Sequence, residues 1–301
     1  MALVANHYTE RNKMTTDIYT TVTNQIIDQL AKGVTPWVKP WRADSSADHN
    51  LVSKKAYSGI NRLILGMAGM MYASNTWATY KQISEAGGNV KKGEKGTHIV
   101  FFKPIVKNEV NAAGDAEEKS FAVVKSYCVF NLDQTENMPA PAVAPNDIGG
   151  EFTPIISVES RITKTGAAIN HGGDAAFYAP SHDRIQLPNK NTFSSESAYY
   201  ATAFHELTHW TSHKTRLDRD LSKGRFGNPD YAFEELVAEL GAAFLCADYS
   251  IDGDLRHAGY IGNWLKVLND DKTAIFKAAA LAQKASDYIN TADATVDAVA
   301  A

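Results

Sequence analysis

Cysteine is scarce: Cys128 and Cys246 are the only two in 301 residues, far apart and each set among apolar neighbours. This excludes a disulfide framework and a cysteine-built metal centre, and suits buried free thiols in a reducing compartment. No unbroken apolar run is long enough to cross a bilayer, so no membrane span is expected. The opening MALVANHYTERNK has no basic start leading into an apolar stretch and a small-residue cleavage site. No secretory signal is read there, and a cytoplasmic protein is expected. A phosphate-cradling Gly-Lys-Ser/Thr loop is also missing, which argues against a nucleotide-hydrolysing or polymerase role.

What is present is unevenly spread. The net charge of −4 hides a split: residues 32–107 hold 12 Lys and Arg against 4 Asp and Glu, whereas residues 151–301 hold 14 against 20. A polyanion should therefore prefer the first half. The length suits two domains, and NMPAPAVAPNDIG (137–149), with three prolines and little periodicity, reads as the join. The expected division is 1–136, a linker at 137–150, and 151–301. Nothing demands more than a monomer.

Ile18, Val22, Ile26 and Leu30 fall at helical spacing over residues 15–31, and residues 57–72 and 77–87 also read as helices. The period then changes, because HIVFFKPIV (98–106) and SFAVVKSYCVFNL (120–132) are β-branched and aromatic runs joined by a polar stretch. Downstream, 177–188 reads as a strand and its approach, while 194–214, 229–249 and 260–289 read as helices. The fold class is α+β.

His205 and His209 are four apart on a predicted helix, so both rings leave one face about a turn apart and are near enough to share an ion. Glu206 lies between them, placed to take a proton from water that the ion activates. This is the division of labour in H-E-x-x-H hydrolases. A third ligand is needed, and the next helix offers Glu234, Glu235 and Glu239. Glu235 and Glu239 share a face, so one can bind while the other accepts a hydrogen bond from a ligating imidazole. The string EELVAE resembles the gluzincin arrangement, which implies Glu235 as ligand and Glu239 as its supporter. The layout with a third histidine ten residues after the first fails, since Thr215 stands there. Zinc is the expected ion, and manganese or cobalt would suit the same donors.

In the first half, aromatic and basic residues interleave. Flat rings can stack on unpaired bases while cations track phosphates, so single-stranded nucleic acid is the implied partner. The candidate contacts are Trp37, Lys39, Trp41 and Arg42 in a proline-fixed loop, Lys54, Lys55, Tyr57, Asn61 and Arg62, and Lys91, Lys92 and Lys95 in KKGEKGTH. Trp77 and Tyr72, on predicted helices, read equally well as core.

Long motifs in order carry a resemblance across nearly the whole chain: GVTPWVKPW, YSGIN, TWATYKQISEAGGNVKKGEKGTHIVFF, YCVFNLDQTE, RIQLP, FHELTHWTSHKTRLDRDL and EELVAELGAAFL. Together they resemble the ArdC family of plasmid-encoded antirestriction proteins. The resemblance implies an N-terminal domain that binds single-stranded DNA and a C-terminal zincin-like metallopeptidase domain, shielding incoming conjugative plasmid DNA from host restriction. It also implies His205, His209 and Glu235 as ligands, Glu206 as the catalytic carboxylate, and an unidentified protein substrate. Two other readings stand beside it. One is a pure single-strand binder whose metal is structural, and the other is a replication or primase accessory factor.

Overall fold

The computed structural model describes residues 18–32, 34–35, 37, 48–69, 72, 74–110, 116–138, 153–219, 229–251 and 261–293. The expected change of period is realised in two long strands, β4 (Thr97–Val110) and β5 (Ala116–Asn131). They pair antiparallel from Thr97 opposite Val129 to Val110 opposite Ala116. Most of the polar stretch between the predicted runs is therefore strand. These join β1 (His49–Asn50) and β2 (Thr76–Thr79) in a sheet of order β1-β2-β5-β4.

Residues 77–87 are not one helix. Thr76–Thr79 is strand, with Trp77 fully buried and its indole donating to Asp48 at 2.9 Å. The helix α3 (Tyr80–Glu85) starts only where Thr79 and Gln82 form a reciprocal capping box. Short β3 (Asn89–Val90) and β6 (Thr135–Glu136) pair beyond it. The first helix, α1 (18–31), forms as its periodicity predicts and buries Val22, Ile26 and Leu30. The helix α2 (Ile60–Ala68) is shorter than predicted, because the chain enters it through Gly59 at φ +56°.

The second half holds α4 (Ile156–Lys164), β7 (Ala168–His171), β8 (Phe177–Ala179), β9 (Arg184–Leu187), α5 (Glu196–Trp210), α6 (Pro229–Asp248), α7 (Ile261–Asp270) and α8 (Ala274–Thr291). Residues 177–188 thus contain two strands, turning at Asp183 with φ +47°. The order is β7-β9-β8, so the strand of the RIQLP motif lies at the centre of this sheet. Among the described residues no helix is long and apolar enough to cross a membrane.

The helix α6 is apolar around most of its circumference, which is the pattern of a helix packed on several sides. Leu236, Val237, Leu240 and Phe244 pack with α1, α2, α7 and α8. Ala242, Leu245 and Cys246 pack with α5 and the small sheet. One core therefore includes apolar side chains from both halves of the chain.

Candidate metal centre

The Ser195 hydroxyl accepts the Ala198 N–H and starts α5, and the helical rise then sets His205 and His209 one turn apart. The helix α6 crosses α5 closely: a Cβ on Gly241 would lie 2.6 Å from the Thr208 side chain. Only glycine permits this approach, and it brings Glu235 up to the histidines. His205 Nε2 and His209 Nε2 are 3.2 Å apart. Glu235 offers Oε2 at 3.5 Å to the first and Oε1 at 3.5 Å to the second.

These three side chains form the one group of its kind among the described residues, with ligand atoms all within 4.8 Å of one another. Around an ion bound at about 2.1 Å with tetrahedral angles, neighbouring donor atoms lie roughly 3.4 Å apart. The three separations match that spacing, and the donor set of two imidazoles and a carboxylate suits a divalent metal. The side chains present therefore fit such an ion, with His205, His209 and Glu235 as the groups that would hold it.

Both outer nitrogens also face carboxylates. His205 Nδ1 faces Glu239 Oε1 at 3.7 Å, and His209 Nδ1 faces Glu234 Oε1 at 3.3 Å. The Glu234 carboxylate, within hydrogen-bond reach of His209 Nδ1, favours a proton on that side with Nε2 turned inward, whereas Glu239 lies beyond that reach of His205 Nδ1. Glu234 is in turn gripped by Arg219, whose Nε and Nη2 donate at 3.1 and 2.9 Å. Arg219 also donates to the Thr208 carbonyl and the Thr211 hydroxyl, at the end of α5. Glu206 is 7% exposed, three residues before His209, and no protein hydrogen bond among the described residues engages its carboxylate.

Burial opposes charge on His209, but hydrogen bonds and the charges of Glu234 and Glu235 outweigh it and push its pKa up to about 10. Burial likewise resists charge on Glu234 and Glu235, yet contacts with His209 and with Arg219 or His205 hold both carboxyls below the usual range. In metal-free protein the His209 imidazolium is common to folded and unfolded chains below about pH 6.5, and its stabilisation is complete there. It is lost as pH rises through about 10. The gap in melting temperature between chelator-treated wild type and His209→Gln is accordingly expected to shrink from pH 6.5 to 10. A constant gap would show that the ring is neutral throughout.

The first-half candidates fall into three groups. Lys54, Lys55, Lys91, Lys92 and Lys95 are exposed, with the Lys91 ammonium also donating to the Asp133 carbonyl at 2.8 Å. Lys39, Trp41 and Arg42 lie outside the described residues. The remaining four are engaged within the protein. The Trp37 ring is half-buried and meets Trp264 edge-on at 5.4 Å, and Tyr57 is buried on Trp77. Asn61 spends its amide on the β4 edge, donating to the Val100 carbonyl at 2.7 Å and accepting the Val100 N–H at 2.8 Å. Arg62 donates to the Phe244 carbonyl at 2.6 Å and to Asp248 at 2.7 Å, binding α2 to α6. Sequence reasoning missed Arg219 and the role of Glu234; the only signal was the run RLDRDL, whose arginine has no fixed spacing to the histidines.

A histidine pair on one buried helix, a glutamate on the next and a small sheet beside them define a zincin-like metallopeptidase fold. Residues 157–281 match the family described as zincin-like metallopeptidase, and residues 16–130 match the N-terminal domain of the anti-restriction factor ArdC. The solved antirestriction ArdC protein of plasmid R388 is similar over 91% of this chain and 97% of its own, at 39% identity and a TM-score of 0.76 in its metal-free form. Its Mn(II)-bound form matches with a TM-score of 0.75 and 37% identity, covering 92% of this chain and 98% of its own. An uncharacterized protein, y4eC, of Sinorhizobium fredii is 39% identical over 94% of both chains. The chain belongs to the ArdC antirestriction family. A DNA primase TraC of Escherichia coli is 38% identical over 89% of this chain, which spans 26% of that protein's length.

Proposed function

We propose that this protein binds single-stranded DNA through its first half and hydrolyses peptide bonds at the His205–His209–Glu235 centre, so protecting incoming conjugative plasmid DNA from host restriction. The division falls at residues 137–150 in this reading. The observation that carries it is the convergence of two Nε2 atoms and a glutamate at separations of 3.2 to 3.5 Å, with the buried Glu206 next to His205 in the chain. His205, His209 and Glu235 would hold a divalent ion, zinc by the donor chemistry, which would supply a lowered pKa for water and polarisation of a carbonyl. Glu234, hydrogen-bonded at His209 Nδ1, would keep that ring's proton on its outer nitrogen and leave Nε2 to the ion. Glu206 takes a proton from the attacking water and returns it to the leaving amine. Among the described residues β7 and β8 are the outer strands of the small sheet, and an extended peptide would add alongside one of them. The exposed lysines of the basic first half supply phosphate contacts, and binding to a strand brings proteins on that strand to the centre.

Elemental analysis and fluorescence anisotropy on oligothymidine across a salt series test both halves. About one ion per chain in wild type, lost in His205→Ala, with single-strand binding intact in both, is the expected result. No ion in wild type removes the hydrolytic reading, and no preference for single strands removes the DNA reading.

A further inference from the structure

One face of the four-stranded sheet changes character along its length. In the β4–β5 register, Thr97, Ile99 and Phe101 stand opposite Val129, Tyr127 and Lys125, and all six share a face because strand side chains alternate. At one end Ile99 and Val129 are buried under Tyr57, Trp77 and Leu65. Two residues further along, the cover ends: Phe101 is 48% and Tyr127 is 44% exposed. Their rings meet edge to face at 5.2 Å, 87° apart. One ring thus holds the other upright, and a ring face stays open to solvent.

Two adjacent uncovered aromatics keep apolar surface in water, and the charge around them shows what they suit. Lys125, directly opposite Phe101, is exposed, and none of the six residues is acidic. The turn that delivers Tyr57 onto the same face carries Lys54 and Lys55, both exposed. It is held by the Asn50 N–H bonded to the Lys55 carbonyl at 3.0 Å and by Asn50 Oδ1 accepting from Val52 and Ser53. Open rings with Lys125 directly opposite Phe101 and no carboxylate among the six residues complement a flexible polyanion with flat bases.

We propose that Phe101 and Tyr127 form a stacking platform for unpaired bases of single-stranded DNA, with Lys125, Lys54 and Lys55 facing its phosphates. The platform rests on the single-strand reading given above, and it moves the aromatic contacts away from the TPWVKPW loop, where Trp37 is packed against Trp264. Both rings sit on a regular hydrogen-bonded ladder, so bases meet a preformed surface.

Anisotropy with a fluorescent 20-residue oligothymidine decides it, using full-length wild type, Phe101→Ala/Tyr127→Ala, Phe101→Tyr/Tyr127→Phe and Lys125→Ala, each checked for unchanged melting. The alanine pair is expected to weaken binding by roughly tenfold to a hundredfold at fixed salt while keeping the salt slope. The aromatic exchange keeps affinity, and Lys125→Ala lowers the slope by about 0.7. If wild type binds the oligomer and the alanine pair binds equally well, the platform is wrong while the single-strand reading stands. If wild type shows no binding, both fall. A wild-type dimer in sedimentation velocity that the alanine pair dissolves assigns the face to a second copy of the chain and also overturns the proposal.

Discussion

Replacing Glu206 by Gln is expected to lower peptide hydrolysis by about 10²- to 10⁴-fold while metal content stays at the wild-type value. The substitution keeps the size and the hydrogen-bonding reach of the side chain but removes its capacity to accept a proton. The buried position limits rescue from bulk water, since Glu206 is only 7% exposed. Fluorescently labelled casein, assayed with and without single-stranded DNA, is a suitable general probe. The same variant asks whether hydrolysis is needed for protection: if Glu206→Gln still shields a plasmid entering a restricting host, the protein acts by coating DNA and its ion is structural. Unchanged casein cleavage would instead assign the proton transfer to another group.

The second large effect is expected at Arg219, a residue that touches no proposed ligand. Its guanidinium forms two bonds to Glu234, and the side chains are 7% and 13% exposed. Arg219→Ala leaves that carboxylate facing His209 without its cation, and breaking one member of a buried pair costs about 3–5 kcal/mol. Urea unfolding is expected to show the loss, and Arg219→Ala/Glu234→Gln to recover much of it, because the stranded charge is then gone. Metal affinity is also expected to fall by about 10- to 100-fold in Arg219→Ala, since His209 loses the partner that fixes its ring. A competition titration against a chelator reads this separately from stability. Full affinity in a folded Arg219→Ala protein would show that Glu234 orients His209 unaided.

The legible parts of the site were the local ones. His205, Glu206 and His209 sit on one turn of one helix, so their spacing alone sets their geometry. On the next helix the same rule paired Glu235 with Glu239, and the gluzincin resemblance supplied which of them is the expected ligand. Arg219 was not legible, because its role depends on the chain beyond α5 doubling back so that the guanidinium caps Thr208 and Thr211 before reaching Glu234. Asn61 and Arg62 show the reverse problem. A polar side chain that seals a strand edge or ties two helices has the same one-letter signature as one that meets a phosphate. The segment around Trp77 went astray because a tertiary partner, Asp48, and a capping box at Thr79 decide where strand ends and helix begins. Helical spacing by itself does not register either.

The helix α6 has one wall built by α1 and α2 and another built by α5, and Arg62 rivets it to the first half through Asp248. A gene that captured only one half would encode a protein with a bare apolar wall, prone to aggregation and open to proteases.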